Sequence, residues 1–182
     1  IATLPGHRFI LTYGVRSDVA SVARVKERLP TGAKTLVVKI REPYFHGDVC
    51  LSALATPHGP VLLACAEALV SCSLAELAEF AQDVEVIAVS EADTLAYACN
   101  ALCVGETWLV PPGLSAPLRA QMQARGLVSV KLDFAELFQK GGGGPRCLVN
   151  VIKDLGDVPD AVCFSSQRER LVQILSAYPT SA

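Results

Sequence analysis

Short apolar runs alternate along this chain with segments of helical spacing, and the two periods predict small strands and helices in close succession. Arg8–Tyr13 reads as a strand that stops at Gly14. Behind it, Val19, Val22, Ala23 and Val25 share a helix that Ser17 can cap, with Pro30 beyond its end. Thr35–Ile40 predicts a buried strand, and Val49–Leu54 with Val61–Cys65 predicts a strand pair turned at Thr56-Pro57-His58-Gly59. Ser73 and Glu76 have capping-box spacing at the head of a helix reaching Gln82. Val84–Val89 follows as a strand. Ala98–Val104 and Thr107–Val110 flank Gly105-Glu106 as a hairpin, and Pro117 and Gly126 bracket a short helix. Leu127–Leu132 then predicts a strand, Phe134–Phe138 a helical turn, Cys147–Ile152 an apolar strand-like run, and Ser165–Leu175 a terminal amphipathic helix.

Two strands, a helix and a strand thus recur about every 50 to 60 residues. The expected class is α/β, built from ββαβ modules of the kind stacked radially around a central site. An ordinary open α/β sheet accounts for the alternation nearly as well.

Composition narrows the partners. A 182-residue chain that is 51% hydrophobic can fill one domain with a sizeable core. Its net charge of −2 gives no electrostatic case for nucleic acid or an anionic membrane. No apolar run approaches the roughly 18 residues of a membrane span, and no signal peptide is visible. The chain opens without a methionine, so a segment upstream of Ile1 is expected. Seven cysteines, an odd number spread through apolar segments, argue for a reducing, cytoplasmic setting in which most are core residues. Cys99 and Cys103 are four apart without a second pair at zinc-ligand spacing, so neither a metal nor a cofactor is expected.

The most informative stretch is Gly141-Gly142-Gly143-Gly144-Pro145-Arg146-Cys147. Four glycines strip side chains from a backbone that must approach something closely, and they end at an arginine and a cysteine. A cysteine beside a fixed positive charge is placed to ionise. The competing reading is a glycine linker next to an ordinary core cysteine. Of the three histidines, His46 lies in Tyr44-Phe45-His46-Gly47-Asp48, with a base and a carboxylate two residues apart. His58 reads as a loop residue, and His7 as part of a turn.

Together these segments resemble the guanidino-group modifying superfamily of dimethylarginine dimethylaminohydrolases, arginine deiminases and amidinotransferases. Gly14-Val15-Arg16-Ser17 is similar to the family's Gly-x-x-Arg-Thr segment, and Phe45-His46-Gly47-Asp48 to its His-Leu-Asp segment. Tyr97-Ala98-Cys99-Asn100 matches a further motif, and the glycine-rich approach to Cys147 is the most specific element. His46 and Cys147 lie 101 residues apart, close to the family's usual separation. The similarity spans residues 1–152 and leaves 153–182 as a C-terminal extension carrying the terminal helix. Gly47 departs from the family's Leu and Ser17 from its Thr. The chain also begins about where an acidic Glu-Gly-Gly-Asp segment would end. The resemblance therefore implies the C-terminal modules of a five-module α/β propeller, without the N-terminal ones.

The resemblance further implies a hydrolase that cleaves a C–N bond of an arginine derivative, dimethylarginine dimethylaminohydrolase-like, through a covalent thiouronium on Cys147. His46 would act as acid and base, Asp48 would bind the guanidinium, and Arg16 would clamp the substrate carboxylate. The His-x-Asp spacing leans toward deiminases and amidinotransferases, which are the close variants. A non-catalytic interaction protein or fragment with the same fold is the alternative from another class. The expected partner is a small guanidino compound, with a homo-oligomer or an N-terminal segment completing the pocket.

Overall fold

In the computed structural model, residues 1–133, 135–141 and 143–149 are described; the predicted extension at 153–182 and its helix lie outside them. The described chain carries three copies of one unit. In the first, β1 (Ala2–Leu4) and β2 (Arg8–Tyr13) form a hairpin, α1 (Val19–Lys26) crosses over, and β3 (Lys34–Lys39) pairs parallel to β2. After a short helix α2 (Gly47–Cys50), the second unit repeats this with β4 (Leu51–Thr56), β5 (Gly59–Ala64), α3 (Leu74–Ala81) and β6 (Glu85–Ala88). Helix α4 (Glu91–Leu95) leads to the third, β7 (Leu102–Val104), β8 (Thr107–Val110), α5 (Ala116–Gln123) and β9 (Val128–Lys131). Helix α6 (Ala135–Gly141) follows. The three-stranded sheets share one strand order, so the expected ββαβ repeat is the architecture of the described residues.

Local chemistry sets the boundaries. Asp18, not the expected Ser17, caps α1, its carboxylate accepting from Ala20 N at 2.7 Å. Asp18 stands one residue nearer the first helical turn, where an N-cap acceptor reaches the free N–H groups. The capping box of Ser73 and Glu76 closes as anticipated. Ser90 and Ser115 cap α4 and α5, their hydroxyls accepting from Asp93 N and Leu118 N. The strand expected from Val49 begins only at Leu51, because Gly47–Cys50 is helical. The strand expected from Ala98 likewise begins at Leu102, after a 3₁₀ turn at Ala98–Asn100. Pro145–Leu148 is also a 3₁₀ turn rather than the start of a strand. The corrections at Val49 and Ala98 fall between repeats, where buried small and apolar residues imitate a strand pattern.

The second sheet explains why Val61–Cys65 is continuously apolar. Leu62 and Ala64 face a core shared with the first unit, including Ile10, Val38, Leu51 and Leu77. Val61 and Leu63, on the other face, enter a core shared with Trp108, Val110, Leu118 and Met122 of the third. A sheet covered on both faces has no polar side to alternate with. The third sheet is covered on one face only among the described residues. Val104 and Val128 share the opposite face through Thr107, and are 59% and 61% exposed. Among the described residues no helix is long and apolar enough to cross a membrane.

Candidate active site

Every candidate side chain except Arg16 sits where one repeat hands over to the next. Three such junctions follow β3, β6 and β9, and they bring together residues about fifty positions apart in sequence.

The first junction is anchored by Tyr44. Its ring is fully buried, and its hydroxyl donates to Glu91 Oε1 at 2.9 Å and accepts from the Cys65 thiol at 3.8 Å. Burial, then the neighbouring Glu91 and Cys65, drive its pKa upward, so it remains a neutral donor. The next residues turn outward. Phe45 meets the His46 ring edge-on at 5.3 Å between centroids, and the Arg16 guanidinium lies 5.7 Å from the Phe45 ring centre. Arg16, on the loop after β2, is thereby brought beside the histidine segment. His46 is exposed and occupies the N-cap position of α2 without capping it through its side chain.

Gly47 has a steric reason to differ from the leucine of the family motif. A Cβ there would lie 2.2 Å from Thr12 Oγ1 and 3.0 Å from Thr12 Cβ, so α2 packs directly on β2. This close approach carries Asp48 inward.

The second junction contributes Asn100, fully buried between Ala98, Cys99 and Ala101. Its Nδ2 donates to Asp48 Oδ2 at 3.1 Å and to the Asp48 carbonyl at 3.3 Å, while its Oδ1 accepts from Gly144 N at 2.8 Å. On the same junction, the buried Asp93 accepts from Ser90 Oγ and from both the backbone N–H and the hydroxyl of Ser115. One carboxylate so ties the starts of α4 and α5. Burial opposes its charge, but the Ser115 and Ser90 hydrogen bonds and nearby Arg119 outweigh this and lower its pKa.

The third junction bears Cys147, whose sulfur lies 3.6 Å from Asp48 Oδ2. The glycine run earns its composition here. A Cβ on Gly144 would stand 3.0 Å from Asn100 Oδ1, and one on Gly143 would stand 2.9 Å from Cys147 Cβ. Arg146 behaves differently from its expected role beside the thiol. Its Nη1 turns away and donates to the buried Ser52 Oγ at 2.6 Å, with the Ala53 carbonyl at 3.5 Å. The Cys147 thiol is accordingly shifted upward, first by partial burial and then by Asp48, against the lowering hydrogen bonds of Asn100 and Gly144 N–H. The shift runs away from the thiolate that the Arg-Cys sequence predicts.

Cys147 and Asp48 therefore meet, His46 stands two residues from Asp48, and Arg16 reaches the same segment. Among the described residues the His46 ring has no hydrogen-bond partner, and none joins it to Cys147. Asn100 closes the Tyr97-Ala98-Cys99-Asn100 motif, and the sequence marks it only as a polar residue inside the small apolar run Ala-Cys-Asn-Ala. His58, read as a loop residue, has its Nδ1 3.1 Å from the Ala124 carbonyl. Cys50, Cys65 and Cys99 are buried, and burial first of all raises Cys50 to about 12 and Cys99 well above its usual range. They pack as core residues. Among the described residues no cluster of metal-binding side chains occurs.

Stacked ββαβ units of this kind are the fold of the guanidino-modifying, pentein-type enzymes. Solved structures similar to this chain bear that out. The N-terminal domain of ArgZ, an arginine dihydrolase from the ornithine–ammonia cycle in Cyanobacteria, was solved with substrate bound. It matches at a TM-score of 0.66 and 24% identity, over 79% of this chain and 51% of that one. Unliganded AgrE matches at a TM-score of 0.67 and 26% identity, over 79% of this chain and 20% of that one. SxtG, an amidinotransferase from Microseira wollei in saxitoxin biosynthesis, matches at 0.65 and 13% identity, over 85% and 46%. The chain thus spans about half the length of the ArgZ domain. In sequence, a 63-residue stretch is 41% identical to the uncharacterised Caenorhabditis elegans protein ZK1307.1, covering 35% of this chain and 22% of that protein. No family model matches the chain.

Proposed function

We propose that this chain carries the nucleophile-bearing part of an enzyme that hydrolyses a C–N bond in the guanidino group of an arginine derivative. The observation that carries the reading is the convergence of Cys147 on Asp48 across the third and first junctions, in a fold shared with arginine-acting enzymes. A guanidinium carbon is a weak electrophile because its charge is spread over three nitrogens, and a thiolate is the side-chain nucleophile suited to it. Asp48 accepts hydrogen bonds from the guanidinium nitrogens and holds the carbon against the sulfur. The cation entering beside Cys147 offsets the carboxylate that keeps the thiol protonated, and so promotes ionisation. Sulfur then adds to the carbon, the C–N bond breaks, and His46 protonates the departing amine. Water adds to the resulting S-linked amidinium with His46 taking its proton, and the C–S bond breaks to release a ureido product and the thiolate. Arg16 pairs with the α-carboxylate at the far end of the substrate.

Dimethylarginine is the substrate of the first reading, and the enzyme is then dimethylaminohydrolase-like. Arginine itself is the second reading, favoured by the likeness to ArgZ. Cytoplasmic, reducing conditions suit a free thiol nucleophile. The test is turnover of dimethylarginine, arginine and a decarboxylated guanidino amine by the purified protein, scored as ureido product and released amine. Cys147→Ser should abolish product from every substrate. Arg16→Ala should lower kcat/KM for the amino acids about ten- to a hundredfold, as expected for a lost charged contact, while sparing the amine. Turnover that survives Cys147→Ser would overturn the reading.

A further inference from the structure

Among the described residues the Asn100 side chain, on the second junction, is bonded to both of the others. We propose that Asn100 is the positioning residue of this site, holding the Asp48 carboxylate and the Cys147 loop in register. The inference rests on the reading of Cys147 as nucleophile. It needs no assumption about the substrate.

The chemistry of the position calls for an amide. At one end a donor must face a carboxylate oxygen, 3.1 Å away, and at the other an acceptor must take the Gly144 N–H at 2.8 Å. A side-chain amide supplies both without charge. An aspartate of the same shape would set a second carboxylate against Asp48 and the thiol. An apolar residue would leave the buried Gly144 N–H without its acceptor. The fit is mutual, because a side chain at residue 144 would press against the Asn100 amide oxygen and backbone. Asn100 itself cannot shift to relieve a mismatch, since it is fully buried between buried neighbours. A lowering influence of Asn100 on the Cys147 thiol, opposed by Asp48, accords with this geometry.

A purely structural asparagine would make the same contacts, so the test reads the thiol itself. Alkylation of the intact protein by iodoacetamide is followed at the Cys147 peptide by mass spectrometry across pH, with no guanidino compound present. Asn100→Ala should move the Cys147 profile to higher pH and slow its alkylation at neutral pH about three- to tenfold, because the Asp48 carboxylate beside the sulfur then lacks the amide donor that offsets its charge. Asn100→Asp, which keeps the shape, should move it further in the same direction. Folded variants with a wild-type profile would overturn the proposal, as would Asn100→Asp matching wild type while only Asn100→Ala shifts. Should the Asn100 variants not fold, Gly144→Ala displaces the same contact from the loop side and should give the same upward shift; an unchanged profile there would also overturn it. Failure of the wild-type protein to turn over any guanidino compound would count against the proposed function and leave this measurement intact.

Discussion

Val49 and Cys50 beside Asp48, and Ala98, Cys99 and Ala101 around Asn100, are exposed by no more than 5%, whereas Cys147, Leu148 and Val149 on the third junction stand open to solvent. The same kind of connection between repeats is thus built in two ways. The first two junctions are short turns wedged into core, with carboxylate and amide fixed by their surroundings. The third is held at a few polar points, chiefly Gly144 N–H on Asn100 and Arg146 on Ser52. The difference separates two tasks. Charge and hydrogen-bond direction are set by packed junctions, and the Cys147 sulfur is left accessible at the end of a glycine-rich approach.

Stability should follow that division. Asp93→Ala removes the acceptor for Ser90 and for both Ser115 donors within the second junction, and should cost about 2–3 kcal/mol by chemical denaturation at neutral pH. The pH dependence has a definite sign. Asp93 has a folded pKa below its unfolded value, so its contribution is fully present above the unfolded value, about 3.9, and is lost as pH falls through the lower folded one. The gap between wild type and the variant should therefore narrow in acid. A constant gap from pH 7 to pH 3 would mean that packing, not charge, fixes this junction.

Function should also be sensitive at the carboxylate. Asp48→Asn keeps an acceptor for Asn100 but removes a charged partner for the guanidinium, and kcat/KM should fall about ten- to a hundredfold. The same change should speed iodoacetamide labelling of Cys147, because Asp48 holds that thiol up. Slower turnover with faster labelling is the signature to seek. A parallel loss of both would show that Asp48 supports the loop rather than reading the ligand.

The smallest effect is expected on the open junction. Arg146→Ala should cost at most about 1 kcal/mol of stability, in keeping with a half-buried hydrogen bond. It should leave the Cys147 alkylation profile within about twofold of wild type, since the guanidinium faces Ser52. A destabilisation larger than that of Asp93→Ala would erase the contrast between packed and open junctions.

Much of this was legible in the chain itself. The strands and crossover helices follow from apolar period and capping residues, as with Ser73 and Glu76, because those signals act over three or four neighbouring positions. The repeat was legible because each unit reuses the same local code. The junctions were not. Val49–Cys50 and Ala98–Asn100 look like strand beginnings, since residues buried on all sides lose the alternation that distinguishes helix from strand. The charge on Cys147 was also beyond local reading. Adjacency to Arg146 along the chain predicts a thiolate, yet a turn can send consecutive side chains to different partners, and Arg146 goes to Ser52 while Cys147 goes to Asp48.

By itself the sequence determined the ββαβ elements, their recurrence, and the residue types at Arg16, His46, Asp48 and Cys147 that the proposed chemistry needs. Tertiary structure alone decided which of these meet, that Gly47 yields its side-chain space to Thr12, and that Asn100 joins three junctions. The physical reason is range. Propensity, capping and periodicity operate within a turn or two of chain, whereas a hydrogen bond between residues 48 and 100, or a sulfur beside a carboxylate 99 positions away, exists only once whole repeats have packed.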